Sequence, residues 1–288
     1  STYTTNLSVP QNALLASVQI AWGPIGSTND LALRLTAPNG VSRTEVNTLN
    51  LLGLTGQRER DVVNLPASGN WTVRVRNTGV LGGLFASSQP FYGAMEVTRV
   101  QYPQMNDLGS LTTTARDEIY QTLRSFILSP FGQNFRPQFT ISRYDLASAL
   151  LLGGRVPQYL PAQSRFADVR DMVTMLAVES AQSSPTGALF TDVAFGGKFR
   201  PDDRADKLMA AVALVRAAGL RAQADALVGT SLSVSDANLI PSNLRGYVSV
   251  ALSQGLLTKD GSAFNPSRAL TRAELAHAMT VLAKLATQ

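Results

Sequence analysis

The sequence predicts a multidomain chain: an all-β sandwich or jelly roll over residues 1–103, then an all-α bundle of three repeats over residues 104–288. Three observations predict it. The first hundred residues alternate apolar and polar side chains between Gly, Pro and Asn turns. Beyond Pro103 the period becomes that of amphipathic helices. Within that second part, three stretches align with one another at steps of 64 and 65 residues.

The strands come first. "ASVQIAW" sets Val18, Ile20 and Trp22 against Ser17, Gln19 and Ala21. "DLALRLTAPNG" sets Leu31, Leu33 and Leu35 against Ala32, Arg34 and Thr36, and ends in a Pro-Asn-Gly turn. "GNWTVRVRNTG" sets Trp71, Val73 and Val75 against Thr72, Arg74 and Arg76, and "GAMEVTRVQYP" is a fourth candidate. Half-buried antiparallel strands show this alternation, and several of them suggest a sandwich or jelly roll. Asn29 and Asp30 offer oxygens for calcium in a loop, although residues of this type more often simply open a strand. "GVLGGLF", residues 79–85, has no lysine and reads as a loop rather than a phosphate cradle.

The helices follow. "ARDEIYQTLRSFI", "RYDLASALLLGG", "DKLMAAVALVRAAGL", "SNLRGYVSVALSQGLL" and "RAELAHAMTVLAKLA" carry the 3.6-residue period. Leu244, Tyr247, Val248, Ala251 and Leu252 show the i, i+3, i+4 spacing. Abundant alanine favours helix and close helix packing.

Composition excludes several functions. There is no cysteine, hence no disulfide, thiolate metal site or cysteine nucleophile. The single histidine, His277, rules out multi-histidine metal clusters, and it reads as a packed or solvated helix residue. The net charge is +5, from 21 Arg and 4 Lys against 20 acids, without a basic stripe that would indicate nucleic acid. No apolar run has the length of a membrane span. The polar start Ser1–Pro10 is no signal peptide, and a chain that begins without Met reads as a mature or excised fragment. No Gly-x-Ser-x-Gly elbow, phosphate loop or isolated carboxylate pair argues for catalysis. The expectation is therefore a non-catalytic chain without a resident cofactor, calcium at Asp30 being the one candidate.

The aligned stretches are "FRPQFTISRYDLA" from Phe135, "FRPDDRADKLMAA" from Phe199 and "FNPSRALTRAELA" from Phe264. Pro follows Phe by two residues, and a cation follows it by eight: Arg143, Lys207 and Arg272. Before each cation stands a good N-cap, Ser142, Asp206 or Thr271. Thr271 and Glu274 have capping-box spacing, and Ser142 and Asp145 form a shorter version. "RFADVRDM" and "SVSDANLI" lie upstream of the second and third stretches. Repeat boundaries fall near 107–160, 161–229 and 230–288, with three similar units packed around a pseudo-threefold axis.

The cations are the unusual feature. Positive charge in the first helical turn opposes the macrodipole by roughly 0.3–1 kcal/mol. Two readings stay open on the residues alone. Each cation pairs with an acid of the neighbouring repeat, or each joins the free amides of a helix start to bind an anion.

Two resemblances bear on function. "VQIAW…STNDLALRLTAPNG" with "ERDVVNLPASGNWTVRVRNTG" resembles the β-sandwich modules that follow the catalytic domain in bacterial subtilisin-like serine peptidases. The Phe-x-Pro stretches with "LTRAELA", and an upstream Phe-x-Asp-Val, resemble the surface-layer homology (SLH) repeat, which usually comes in threes. The second stretch departs from that pattern, with Lys207 for arginine and Met209 for the acid. The SLH resemblance implies non-covalent anchoring to an anionic, often pyruvylated, cell-envelope polysaccharide. It implies glycan contacts at Arg143 and Arg272, with Lys207 undecided. Ser142, Asp145, Thr271 and Glu274 belong to the same motif. Several weak pockets on one polymer would gain roughly 10²–10⁴ in avidity. The expected place is the bacterial cell surface, as the C-terminal part of an exported protein. The alternatives are self-assembly into a surface layer or filament, and an unrecognised hydrolase in the sandwich.

Overall fold

The computed structural model describes residues 1–23, 29–48, 57–79, 88–193 and 196–285. It divides into two compact units, Ser1–Gln101 and Tyr102–Gln288. Of the Gly-rich stretch 79–85, all but Gly79 lies outside the described residues.

The first unit contains strands β1 (Thr2–Val9), β2 (Ala13–Trp22), β3 (Leu31–Thr36), β4 (Arg58–Asn64), β5 (Gly69–Asn77) and β6 (Phe91–Arg99). They form two three-stranded antiparallel sheets, ordered β1-β5-β3 and β4-β2-β6. The alternation read from the sequence decides which side chains are buried: Val18, Ile20 and Trp22 on β2, Leu31, Leu33 and Leu35 on β3, and Trp71, Val73 and Val75 on β5. These residues form one apolar cluster drawn from both sheets. Each large side chain so buried contributes about 1.5–3 kcal/mol. The four strand candidates correspond to β2, β3, β5 and β6; β4 was quoted only within the first resemblance, and β1 was not anticipated. Only its Leu7 and Val9 are buried, and its Thr-rich start gives no apolar period. β4 turns two acids inward beside Val63: Glu59 accepts from the Thr48 amide and hydroxyl, and Asp61 takes a two-pronged pair from Arg43. Gly69 enters β5 at φ 122°, where a Cβ would lie 2.9 Å from the Pro38 ring, so only glycine fits.

The second unit is helical: α1 (Thr113–Arg124), α2 (Arg143–Leu152), α3 (Met172–Gln182), α4 (Lys207–Ala217), α5 (Arg221–Ala226), α6 (Arg245–Ser253) and α7 (Arg272–Leu285). Helices α3 and α5 were not anticipated. α3 opens with exposed Met172 and Val173, which blurs the apolar face, and α5 is only six residues long. The three aligned stretches carry the same main-chain pattern. The amide of Ile141 donates to Leu270 O, that of Leu270 to Ala205 O, and that of Ala205 to Ile141 O. The three bonds, 2.9, 2.9 and 3.0 Å long, close a ring. Around it, Arg143 N donates to Asp203 O, Lys207 N to Arg268 O and Arg272 N to Phe139 O. The helices follow the same rotation: α2 packs on α3, α4 on α6, and α7 on α1. Phe135, Phe199 and Phe264 sit fully buried at equivalent places. Their side chains therefore serve the core, while the prolines two residues later, Pro137, Pro201 and Pro266, accept main-chain hydrogen bonds from the preceding stretch in the ring, from Ala273, Tyr144 and Leu208.

Candidate functional site

Local chemistry builds the frame. Ser142 and Asp145 close a capping box on α2: Asp145 N donates to Ser142 Oγ at 3.1 Å, and Ser142 N to Asp145 Oδ2 at 2.8 Å. Thr271 and Glu274 do the same on α7, at 3.3 and 2.9 Å. Asp206 caps α4 by accepting from Met209 N at 2.7 Å. These caps account for four of the seven candidate residues, each cap being worth about 1 kcal/mol.

A second device precedes each aligned Phe. One carboxylate accepts from two successive amides: Asp107 from Phe135 N and Arg136 N, Asp168 from Phe199 N and Arg200 N, and Asp236 from Phe264 N and Asn265 N. The second residue of each pair is left-handed, at φ 60°, 59° and 58°. Asp168 and Asp236 lie in the upstream stretches noted in the sequence, but Asp107 was missed. A spacing of 28 residues to the Phe, shared with Asp236, is the signal that would have found it.

The three cations lie at three equivalent junctions, and each reaches into the stretch that follows. Arg143 is fully buried, stacked near Phe190 and Phe199 at 5.2 and 4.9 Å. Its two terminal nitrogens grip Asp192 at 2.7 and 3.1 Å, and Nη1 also reaches Met209 Sδ at 3.3 Å. Asp192 further accepts from Arg200 at 2.7 Å. Lys207, also fully buried, lies 5.1 Å from the Phe264 ring centre and donates to Asp260 at 3.1 Å. Asp260 is a hub, accepting from Asn265 and Arg268 as well. Burial pushes its carboxyl up, but hydrogen bonds from Asn265, Arg268 and Lys207 outweigh that and hold it at about 2. Arg268 then passes to Glu274, joining the hub to the α7 cap.

Arg272 differs. It is 8 % exposed and stacks near Phe131 and Phe135 at 4.8 and 4.6 Å. Its Nε donates to Phe135 O at 2.8 Å and its Nη2 to Ser129 O at 2.7 Å. Among the described residues no carboxylate pairs with it. Where the third junction places Asp260, four residues before the aligned Phe, the first has Phe131. A second guanidinium, the exposed Arg136, lies 4.5 Å from the same Phe131 ring. Burial lowers the Arg272 pKa, and Arg136 pushes the same way against the distant pull of Asp145 and Asp107. Two cations, the half-exposed rings of Phe131 and Phe139, and no paired acid among the described residues make this the junction most receptive to an added anion.

His277 stands five residues into α7 beyond Arg272, between Glu118 of α1 and the Gly255 carbonyl. With Glu274, Leu256 and Thr258 it lines a groove of about 220 Å³. In the first unit, Asn29 is engaged with Gln89 and Asn77, and Asp30 is buried with Oδ1 unpartnered. Burial, helped by Glu59, raises the Asp30 pKa. Among the described residues no three of His, Cys, Asp and Glu gather as metal ligands, and no helix is long and apolar enough to cross a membrane.

No curated protein matches the chain. The S-layer homology domain is a cell-surface anchoring module that binds cell-wall polysaccharide. Residues 235–276, which hold the Asp236 clamp, the Asp260 hub and the Thr271–Arg272–Glu274 helix start, match the family model of that domain.

Proposed function

We propose that the chain is a non-catalytic anchor that holds an exported protein to an anionic, pyruvylated cell-envelope polysaccharide, with Arg272 leading the contact. The observation that carries this reading is the Arg272 guanidinium, a buried cation with no carboxylate partner among the described residues, beside exposed Arg136 and Phe131. In this reading the second unit is three SLH repeats and the first a β-sandwich accessory module. The shared ring of hydrogen bonds supports the former, and a single apolar cluster drawn from two sheets supports the latter. Arg143 and Lys207 join only by exchanging Asp192 or Asp260 for a carboxylate of the polymer. Ser142, Asp145, Thr271 and Glu274 set the helix starts that aim the cations. The likeness of the first unit to modules behind subtilisin-like catalytic domains favours a secreted peptidase as the parent. The absence of cysteine, and one histidine with both nitrogens engaged, support a chain without catalysis of its own.

The test is retention of the pure chain on cell-wall sacculi, with the secondary polysaccharide present or stripped. Wild type is expected on unstripped sacculi only, and Arg272→Ala is expected to weaken retention about 10- to 100-fold, as for a lost charged hydrogen bond. Equal retention on both preparations, or no effect of Arg272→Ala in a folded chain, overturns the reading. A second reading, self-assembly, has one observation in its favour. Among the described residues β6 lies at the edge of its sheet, and it exposes Tyr92 and Met95. Concentration-dependent assembly without glycan would select it.

A further inference from the structure

His277 is the single histidine of the chain, and both of its ring nitrogens face acceptors. Nε2 lies 2.8 Å from Gly255 O, while Nδ1 lies 3.0 and 3.1 Å from the two oxygens of Glu118. A main-chain carbonyl can only accept, so Nε2 carries a proton. An ionised carboxylate can only accept as well, so Nδ1 needs a proton too. Only the imidazolium satisfies both contacts. A neutral ring that keeps its bond to Gly255 turns the lone pair of Nδ1 onto Glu118.

The ring ties together three pieces of chain: α1 through Glu118, the turn after α6 through Gly255, and α7 itself. The titratable groups that face it are few. Glu118 comes from α1 and Glu274 from α7, while Leu256, Leu257 and Thr258 complete the groove without charge. Glu274 is already committed to Arg268 and to its cap, which leaves Glu118 as the partner of the ring. The equivalent residues of the other two junctions, five past each cation, are Ser148 and Val212. The histidine therefore belongs to one junction alone, the one where Arg272 has no paired carboxylate among the described residues.

We propose that His277 is a pH-operated clip that holds α1 against α7, closed as imidazolium and released as the ring loses its proton. Release acts on Arg272 because α7 begins there, and because its acceptors, Ser129 O and Phe135 O, lie on the chain that follows α1. Loosening α1 from α7 shifts these acceptors relative to the guanidinium. In so far as Arg272 holds the envelope polymer, which is the reading above, the anchor grips in acid and loosens in alkali.

A double-mutant cycle tests the clip on the whole chain. Thermal unfolding of the helical unit is followed at 222 nm for wild type, His277→Gln, Glu118→Gln and the double variant, at about pH 5.5 and about pH 8. The two changes are expected to be non-additive at the lower pH, with a coupling of about 2–4 °C in Tm, and additive at the higher. Additivity at both, or equal coupling at both, overturns the clip. Sacculus retention at the same two pH values then tests the consequence. Wild type is expected to be retained severalfold more at the lower pH, and His277→Gln equally at both. A pH response that persists in His277→Gln overturns the regulatory role. Absence of retention at either pH defeats the glycan reading, while the cycle still decides the clip.

Discussion

Arg143 and Arg272 make the same main-chain bond into the next stretch, Arg143 N to Asp203 O and Arg272 N to Phe139 O, yet only Arg143 meets a carboxylate. The first is an internal ion pair that fastens the bundle, and the second is a cation held by carbonyls. Asp192→Ala separates the two roles. It strands a fully buried guanidinium, and losing one partner of a fully buried pair costs about 3–5 kcal/mol. Asp192 is itself 41 % exposed, so water reaches that side of the pair. A loss of about 1–3 kcal/mol is expected, read as a fall in the urea midpoint with unchanged m. No change in midpoint would show that the pair contributes nothing.

The Lys207–Asp260 pair sets an acid limit. Asp260 ionises at about 2 in the folded chain, below the ordinary aspartate value of 3.8. A carboxyl whose folded pKa is depressed contributes stability that is complete above its unfolded pKa and disappears as pH falls through the folded one. The helical unit should therefore lose stability between about pH 4 and about pH 2. Asp260→Asn should be less stable at neutral pH and flatter across that window. Parallel profiles for wild type and Asp260→Asn would contradict the assignment.

How far the sequence reaches can be judged from these residues. The caps at Ser142 and Thr271 are legible because an N-cap and its partner three residues on interact locally, whatever surrounds them. The three stretches are legible because each spends its Phe on the core and its Pro on a turn. The partners of the cations are not. Asp192 lies between Gln182 and Phe199, which are 17 positions apart, against 11 between Arg124 and Phe135 and between Ser253 and Phe264, so it has no counterpart to align with. Of the two readings left open for the cations, ion pairing describes Arg143 and Lys207, and Arg272 fits neither an internal pair nor a bound anion in the chain alone. β1 escaped for a different reason: strand formation there rests on the register with β5, from Thr2↔Arg76 to Val9↔Gly69, rather than on an apolar face of its own.

Asp30 carries the opposite pH sign. Burial and Glu59 raise its pKa, so the folded state binds its proton more tightly than the unfolded chain does. Stability from this group is present in acid and falls as pH rises above the ordinary aspartate range. With Oδ1 buried and unpartnered, Asp30→Asn is expected to stabilise the β unit at neutral pH by about 1 kcal/mol and to flatten its acid-to-neutral slope. The same melts with calcium test the candidate ligand role. A calcium-dependent rise in Tm confined to wild type would make Asp30 a ligand, and the asparagine variant would then be the weaker protein.

Gly246 of α6 packs directly against main chain of α5 and the residue after it. A Cβ there would overlap the Ala224 carbonyl and press on Leu227, both main-chain obstacles that cannot swing aside. In an isolated helix, alanine in place of glycine would help by about 1 kcal/mol. Here the clash outweighs that gain, and Gly246→Ala is expected to destabilise the helical unit by about 2–3 kcal/mol. Chemical denaturation decides the sign, and a more stable alanine variant would mean that α5 can shift freely off α6.

The aspartate clamps give the last prediction, because they hold main chain that does not hold itself. Asp236 accepts from Phe264 N at 2.8 Å and from Asn265 N at 2.7 Å, and Asn265 sits at φ 58°, which a side-chain-bearing residue rarely adopts. Burial raises the Asp236 pKa, but the two amides and the nearby Lys207 charge outweigh it and lower the carboxyl overall. Asp236→Ala removes both acceptors at once, leaving two amides unsatisfied beside a strained residue. A loss of about 2–3 kcal/mol is expected. Asp236→Asn keeps one acceptor oxygen and should lose about half as much, without the acid dependence, since it has no proton to gain. Asp107→Ala should behave like Asp236→Ala, because Arg136 stands at φ 60° under the same pair of bonds. Urea midpoints of the three variants order these effects. If Asp236→Ala and Asp236→Asn were equally stable, the clamp would be acting through charge alone, and the left-handed turn would be held by the burial of Phe264.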